Sequence, residues 1–239
     1  MDQAKNIRNA AGPNTDKRQF SIFIMFFLPV SLTVFILFLL LLPTIFFIWF
    51  FQIVNFSFQK LGLTPNLTFL LLLLILIGSQ INIPLGKYKV RNVRRTDFFG
   101  FSFTQKEIQG VAINLGGGVI PVIISLYLFK QVQDFIPVLI TLFLMILITH
   151  FFARVIPGVG VVLPALIPPA FAALFSLIFY PQNPAICAYI SGTLGTLIGA
   201  DLLNLHKLKQ SQGLISIGGA GVFDGIFLTG IIAVFLTAL

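Results

Sequence analysis

Apolar runs of about twenty residues recur along this 239-residue chain, and they leave few folding solutions open. A helix of that length spans the hydrocarbon core of a bilayer. Inside hydrocarbon every backbone N–H and C=O must be bonded internally, so helices are the expected answer. Composition agrees: 57% of the residues are hydrophobic, 9% are charged, and the mean hydropathy is +1.02. No soluble domain of this size has such values. The expected fold class is all-α, a polytopic transmembrane bundle of about seven spans in a single domain covering residues 20–239. Its spans are placed at 20–45, 66–85, 110–129, 135–153, 160–180, 185–205 and 218–239.

The first run continues to Phe56 through Pro43 and Trp49. It reads either as one tilted span with an interfacial segment or as two short spans. Charge decides between seven spans and eight. With one span there and the polar N-terminus (1–19) inside, thirteen of the fifteen Lys and Arg lie on the cytoplasmic side, and only Lys60 and Lys130 fall outside. An eighth span would move the basic loop 86–107 outside, against the positive-inside rule. The expectation is therefore a multi-pass protein of the cell inner (plasma) membrane, N-terminus cytoplasmic and C-terminus external. Residues 1–19 are polar and the apolar run after them is longer than a signal core, so an uncleaved anchor is expected. The net charge of +8 is assigned to orientation and membrane lipids, not to nucleic acid. The Gly-Lys-Tyr-Lys-Val-Arg alternation in 86–107 admits a small hairpin, but a basic loop lying on anionic headgroups is the expectation.

Polar exceptions to this apolar background carry the functional signal. Of seven acidic residues, five lie in polar segments or at run edges. Asp201 and Asp224 sit inside glycine-rich apolar runs, where a carboxylate costs roughly 2.5–3.5 kcal/mol even on the gentlest insertion scale. Asp201 is six residues before Lys207 and Asp224 six after Gly218. On antiparallel neighbouring helices that puts each carboxylate about 9 Å inside the cytoplasmic boundary. Read as a regular helix, Asp201 shares its face with Leu194, Leu197, Ile198 and Asn204, while Gly195 and Gly199 can seat another helix. Gly221 and Gly225 flank Asp224 and admit a close backbone.

Irregular segments converge at the same depth. Val155 to Pro169 carries four prolines and two glycines before the fifth span and cannot be a regular helix. Asn82 closes the second span and Asn114 opens the third. The plainer alternative is that an aspartate pairs with Arg154 or caps a helix. The single cysteine, Cys187, excludes an internal disulfide, no metal-ligand spacing is present, and no cofactor is expected.

Gly78-Ser-Gln-Ile-Asn82-Ile-Pro, Pro164-Ala-Leu-Ile-Pro-Pro, Gly199-Ala-Asp201-Leu-Leu-Asn204 and Ser216-Ile-Gly-Gly-Ala-Gly-Val-Phe-Asp224-Gly-Ile-Phe-Leu-Thr-Gly resemble the prokaryotic membrane proteins known as domain of unknown function 1614. That resemblance covers roughly residues 25–239 and implies an integral membrane protein with no particular activity. A looser resemblance is to the intramembrane aspartyl proteases: presenilin, signal peptide peptidase and prepilin peptidase. It implies Asp201 and Asp224 as the catalytic pair and Pro164, Ala165 and Leu166 as a substrate-facing segment. The match departs from those families in three ways. Two extra residues separate Gly221 from Asp224, no tyrosine precedes Asp201, and Pro-Ala-Leu comes before the aspartates, whereas in presenilin it follows them.

Three functional classes remain open from the sequence. One is an aspartyl protease-like hydrolase acting on a transmembrane peptide. Another is a proton- or cation-coupled carrier in which Asp201, Asp224 and Asn204 bind the ion. The third is a non-catalytic membrane scaffold.

Overall fold

The computed structural model describes residues 13–86, 89–96, 100, 102–156, 159–210 and 214–239. Residues 1–12, most of the polar N-terminal segment, lie outside these, as do Lys87 of the basic loop and Pro157–Gly158 of the broken segment. The chain divides into two compact units, Met1–Gln52 and Ile53–Leu239.

Helix α1 runs from Pro13 to Lys60 as a single 48-residue helix, with no break in it over 20–56. Pro43 does not break it, and next to it the Thr44 hydroxyl donates to the Leu40 carbonyl. From Val30 to Trp49 its apolar side chains are exposed all round. A helix apolar on every side belongs in an apolar medium.

The second unit opens with the end of α1 and a turn at Gly62. Helix α2, Pro65–Gly78, starts at Thr64, whose side chain accepts from Leu67 N–H. Strands β1 (Asn82–Pro84), β2 (Lys89–Thr96) and β3 (Ser102–Asn114) follow. A π turn, Leu115–Val119, leads into α3, Ile120–Phe129, and α4 spans Phe135–Phe152. Strands β4 (Arg154–Ile156) and β5 (Gly160–Val162) precede α5, Ile167–Phe179. Helix α6, Pro184–Thr196, continues as a π turn over Leu197–Leu202. A short α7 (Leu205–Gln210), strand β6 (Leu214–Ile217) and a 3-10 turn (Gly221–Phe223) lead to α8, Gly225–Thr237.

The chain is mostly helical. Three segments, Val30–Lys60, Phe135–Phe152 and Pro184–Leu202, are long and apolar enough to cross a membrane. The other apolar helices, Pro65–Gly78, Leu115–Phe129, Ile167–Phe179 and Gly225–Thr237, are shorter. At 13 residues α5 and α8 are each about 20 Å long.

The all-α expectation is corrected by a sheet. β3 pairs antiparallel with β1 and β2, and β6 lies parallel to Gly110–Ile113 of β3. β4 and β5 form a separate antiparallel pair. The basic segment is thus a β-hairpin, not a plain loop, with Arg91 opposite Glu107 in the β2–β3 register. Strand β3 also takes the first residues assigned to the third span. The cause is local. Gly110-Val-Ala-Ile-Asn and Val159–Val162 are short, β-branched and bounded by turn residues, and backbone N–H groups unpaired in one extended segment find partners in the next. Prolines set where α5 begins. Pro168 and Pro169 fit only the first turn, where their missing N–H groups would have had no helical partner.

Helix α6 is the centre of this unit. Almost every residue from Ala185 to Thr196 is buried, and α3, α4, α5 and α8 pack around it. Met145, Ala172, Ala188 and Ala233 bring α4, α5, α6 and α8 together at one point. A second cluster, Val111, Leu197, Ile215, Ile217 and Ile226, joins the sheet to the π turn and to α8.

Candidate functional site

Asp201 stands in the π turn that extends α6, and Asp224 caps α8. At the cap, the Asp224 carboxylate accepts the Ile226 N–H at 2.9 Å. The helix-cap alternative is therefore realised for Asp224, and it engages one carboxylate oxygen. The approach to it is shaped by glycine. Gly218 takes φ +74°, and a Cβ there would come within 2.5 Å of Gly118 N. This turn packs backbone to backbone on the glycines that open α3.

Both carboxylates are half-buried and line one cavity of about 530 Å³. They are close enough for the charge of Asp224 to act on Asp201. Among the described residues no cation appears among the groups acting on either of them, so the Arg154 pairing is not made. Val159–Ala165 forms one side of the cavity, including all of β5, and Ile215, Ser216 and Gly218–Ala220 form another. Among the described residues β5 pairs with β4 alone, so one of its edges is unpaired.

Of the residues singled out from sequence, Asp201, Asp224, Pro164, Ala165 and Gly225 line the cavity. Leu166 does not line it: it is 71% exposed, just before α5. Asn204 is buried beneath the π turn, where its amide donates to the Ala200 carbonyl and accepts from Lys207 Nζ. Gly221, at φ +61°, seats its backbone on Ser79. Asn114 is fully buried and donates to the Ser79 carbonyl and to Asn82 Oδ1, while its own Oδ1 accepts the Gly116 and Gly117 N–H groups. Asn82 also receives the Ser216 hydroxyl. The two asparagines thus brace the sheet and reach the cavity only through Ser216.

Three lining hydroxyls escaped the sequence reading: Thr196, Ser216 and Thr229. Thr196 is 2% exposed, and its hydroxyl has no hydrogen-bond partner among the described residues. In a regular helix Thr196 and Asp201 point about 140° apart. The π turn takes in one extra residue and closes that angle to about 40°. The face expected from a straight helix is corrected accordingly: Asp201 shares the cavity with Thr196 and Ala200, and Leu197 goes to the core.

A family model described as protein of unknown function (DUF1614) matches residues 76–236. The chain belongs to the DUF1614 family. The DUF1614 match is narrower than the 25–239 expected, and it begins near the end of α2, after the first helix. It contains both aspartates, the whole cavity lining and all six strands. Comparison with curated proteins and with solved structures returns no match. The looser likeness to aspartyl proteases gains no support from these comparisons.

Proposed function

We propose that this DUF1614 protein is a multi-pass protein of the cell inner membrane whose Asp201 and Asp224 form a paired-acid hydrolase site for a transmembrane peptide. The observation that carries this reading is that both carboxylates line one half-open cavity with Pro164 and Ala165, with no cation beside them among the described residues. A dyad of this kind holds one proton between its two carboxyls. The ionised carboxylate takes a proton from a water, and the oxygen attacks the peptide carbonyl carbon. The protonated carboxyl donates to the carbonyl oxygen. Collapse of the tetrahedral species breaks the C–N bond and passes a proton to the leaving nitrogen. The unpaired edge of β5 offers backbone groups to an extended substrate strand, the usual mode of strand addition.

The test is a set of three variants assayed for cleavage of a reporter transmembrane peptide in reconstituted vesicles. Groups that act as a unit are non-additive. Asp201→Asn alone should abolish cleavage as completely as the double variant with Asp224→Asn. Wild-type protein that cleaves no reporter, or single variants with independent partial losses, would remove this reading.

A second reading, a proton- or cation-coupled carrier, is favoured by Thr196 at the same cavity, whose buried hydroxyl has no hydrogen-bond partner among the described residues. Asn204, expected among its ligands, already has its amide engaged. In that case the Asn variants should shift the ion or pH dependence of flux and leave a residual rate. If neither variant accumulates, the aspartates are structural and the scaffold reading stands.

A further inference from the structure

Asp201 faces the cavity only because α6 widens into a π turn at Leu197–Leu202, and widening a helix breaks its regular pattern of carbonyl partners. Three of the carbonyls in this region receive side-chain donors. Gly195 O lies 2.8 Å from Thr149 Oγ1, Gly199 O lies 3.1 Å from His150 Nδ1, and Ala200 O accepts from Asn204 at 2.9 Å. Two of these three donors come from the last turn of α4. Thr149 is fully buried, and its one proton is shared between Gly195 O and its own helix, where Met145 O is also at 2.8 Å.

The approach of α4 is made possible by glycine. A Cβ at Gly199 would lie 2.1 Å from Thr149 Oγ1, and one at Gly195 would lie 2.6 Å from Met145 Cβ. The widened turn, its glycines and its outside donors therefore form one arrangement. Without donors at these carbonyls, regular α winding, which bonds each carbonyl within the helix, becomes the better solution for this stretch.

We propose that Thr149 and His150 are positioning residues: they latch the π turn of α6 and thereby aim Asp201 into the cavity. The inference rests on Asp201 being a working group of that cavity. Releasing the latch rewinds the turn and carries the carboxylate about 100° round the helix, away from Asp224. His150 acts through the ring N–H at Nδ1, a position that an asparagine amide can also reach.

The test reads the turn itself. In the full chain, Cys187→Ser removes the one native thiol. Asp201→Cys or, as a control at an exposed residue of the same cavity, Ala220→Cys then introduces a thiol, and labelling by a water-soluble methanethiosulfonate reagent is timed. Adding Thr149→Val or His150→Ala should slow labelling at 201 by about tenfold while labelling at 220 holds, because thiol reactivity follows exposure to water. His150→Asn should keep the parent rate. The near-isosteric Thr149→Val preserves packing and gives a reading even where His150→Ala does not accumulate. Unchanged labelling at 201, or equal slowing at both positions, overturns the latch. If the latch holds while Asp201→Asn leaves both cleavage and flux intact, the functional reading falls and the geometry stands.

Discussion

Asp224 has two jobs that substitution can separate. Its carboxylate caps α8 through Ile226 N–H, and the same side chain lines the cavity. Asparagine caps a helix as well as aspartate does, whereas alanine leaves the first N–H groups without a partner. Asp224→Ala should therefore lower stability by about 0.5–2 kcal/mol in chemical unfolding, and Asp224→Asn by only a few tenths. Both should abolish the activity of the site. An Asn variant as unstable as the Ala variant would mean that the negative charge, not the cap, holds this turn. Asp201 has no such second role: among the described residues its carboxylate accepts no hydrogen bond, and the neighbour acting on it is Asp224. The two acids were legible in sequence because a carboxylate in an apolar run is expensive wherever it falls. Thr196 was not, because its face depends on one extra residue per turn, which no hydrophobic period records.

At the scale of elements, the glycine turn before α8 and the glycine that starts that helix should respond in opposite ways. Gly218 is left-handed and in backbone contact with Gly117 and Gly118. Gly218→Ala should destabilise the protein by at least about 1–2 kcal/mol, the cost of a left-handed L-residue, before any clash is counted. Gly225 has no positive φ and nothing within 4 Å of its absent Cβ, so Gly225→Ala should fold as the parent does. Thermal unfolding of the two variants side by side checks this, and equal losses would mean that the turn's strain is not where the backbone puts it. The places of the apolar helices were readable because hydropathy alone marks them. Their inner conformation was not. A run of four or five residues rich in Val and Ile satisfies a buried strand and a buried helix equally, and pairing elsewhere in the chain decides. Gly110–Asn114 became a strand because β1 and β6 were there to take its hydrogen bonds. Val155–Pro169 was foreseen as broken because proline excludes a helix interior on local grounds alone; its described residues are non-helical up to Leu166, while Pro168 and Pro169 sit in the first turn of α5, where proline is tolerated.

For the whole molecule, the open quantity is how many of the apolar helices cross the membrane. Among the described residues three are long and apolar enough to do so. That count, with the N-terminus inside, leaves Lys60, the basic hairpin, Lys130, Lys207 and Lys209 outside, ten of the fifteen basic residues. Such a distribution runs against the positive-inside rule. Seven crossings, as expected from charge, would leave only two outside, and the strands would have to supply the missing length. α5 covers about 20 Å, and the Gly160–Pro164 stretch before the turn at Ala165–Leu166 can add up to about 16 Å against a core of about 30 Å. α8 gains in the same way from β6. Extended backbone at that depth must be bonded to protein or line a wet cavity, and these segments do both: β6 pairs with β3, β5 with β4, and both border the cavity. Reporter fusions decide between the counts. Seven crossings put Asn92 and Lys207 in the cytoplasm and the end of α8 outside. Three crossings put Asn92 and Lys207 outside and leave the end of α8 where it was, so the hairpin and α7 fusions carry the test. An external signal at Asn92 would mean that α2 does not cross. The shared depth of Asp201 and Asp224 would then have to come from the fold of the cavity alone, without the membrane to set it.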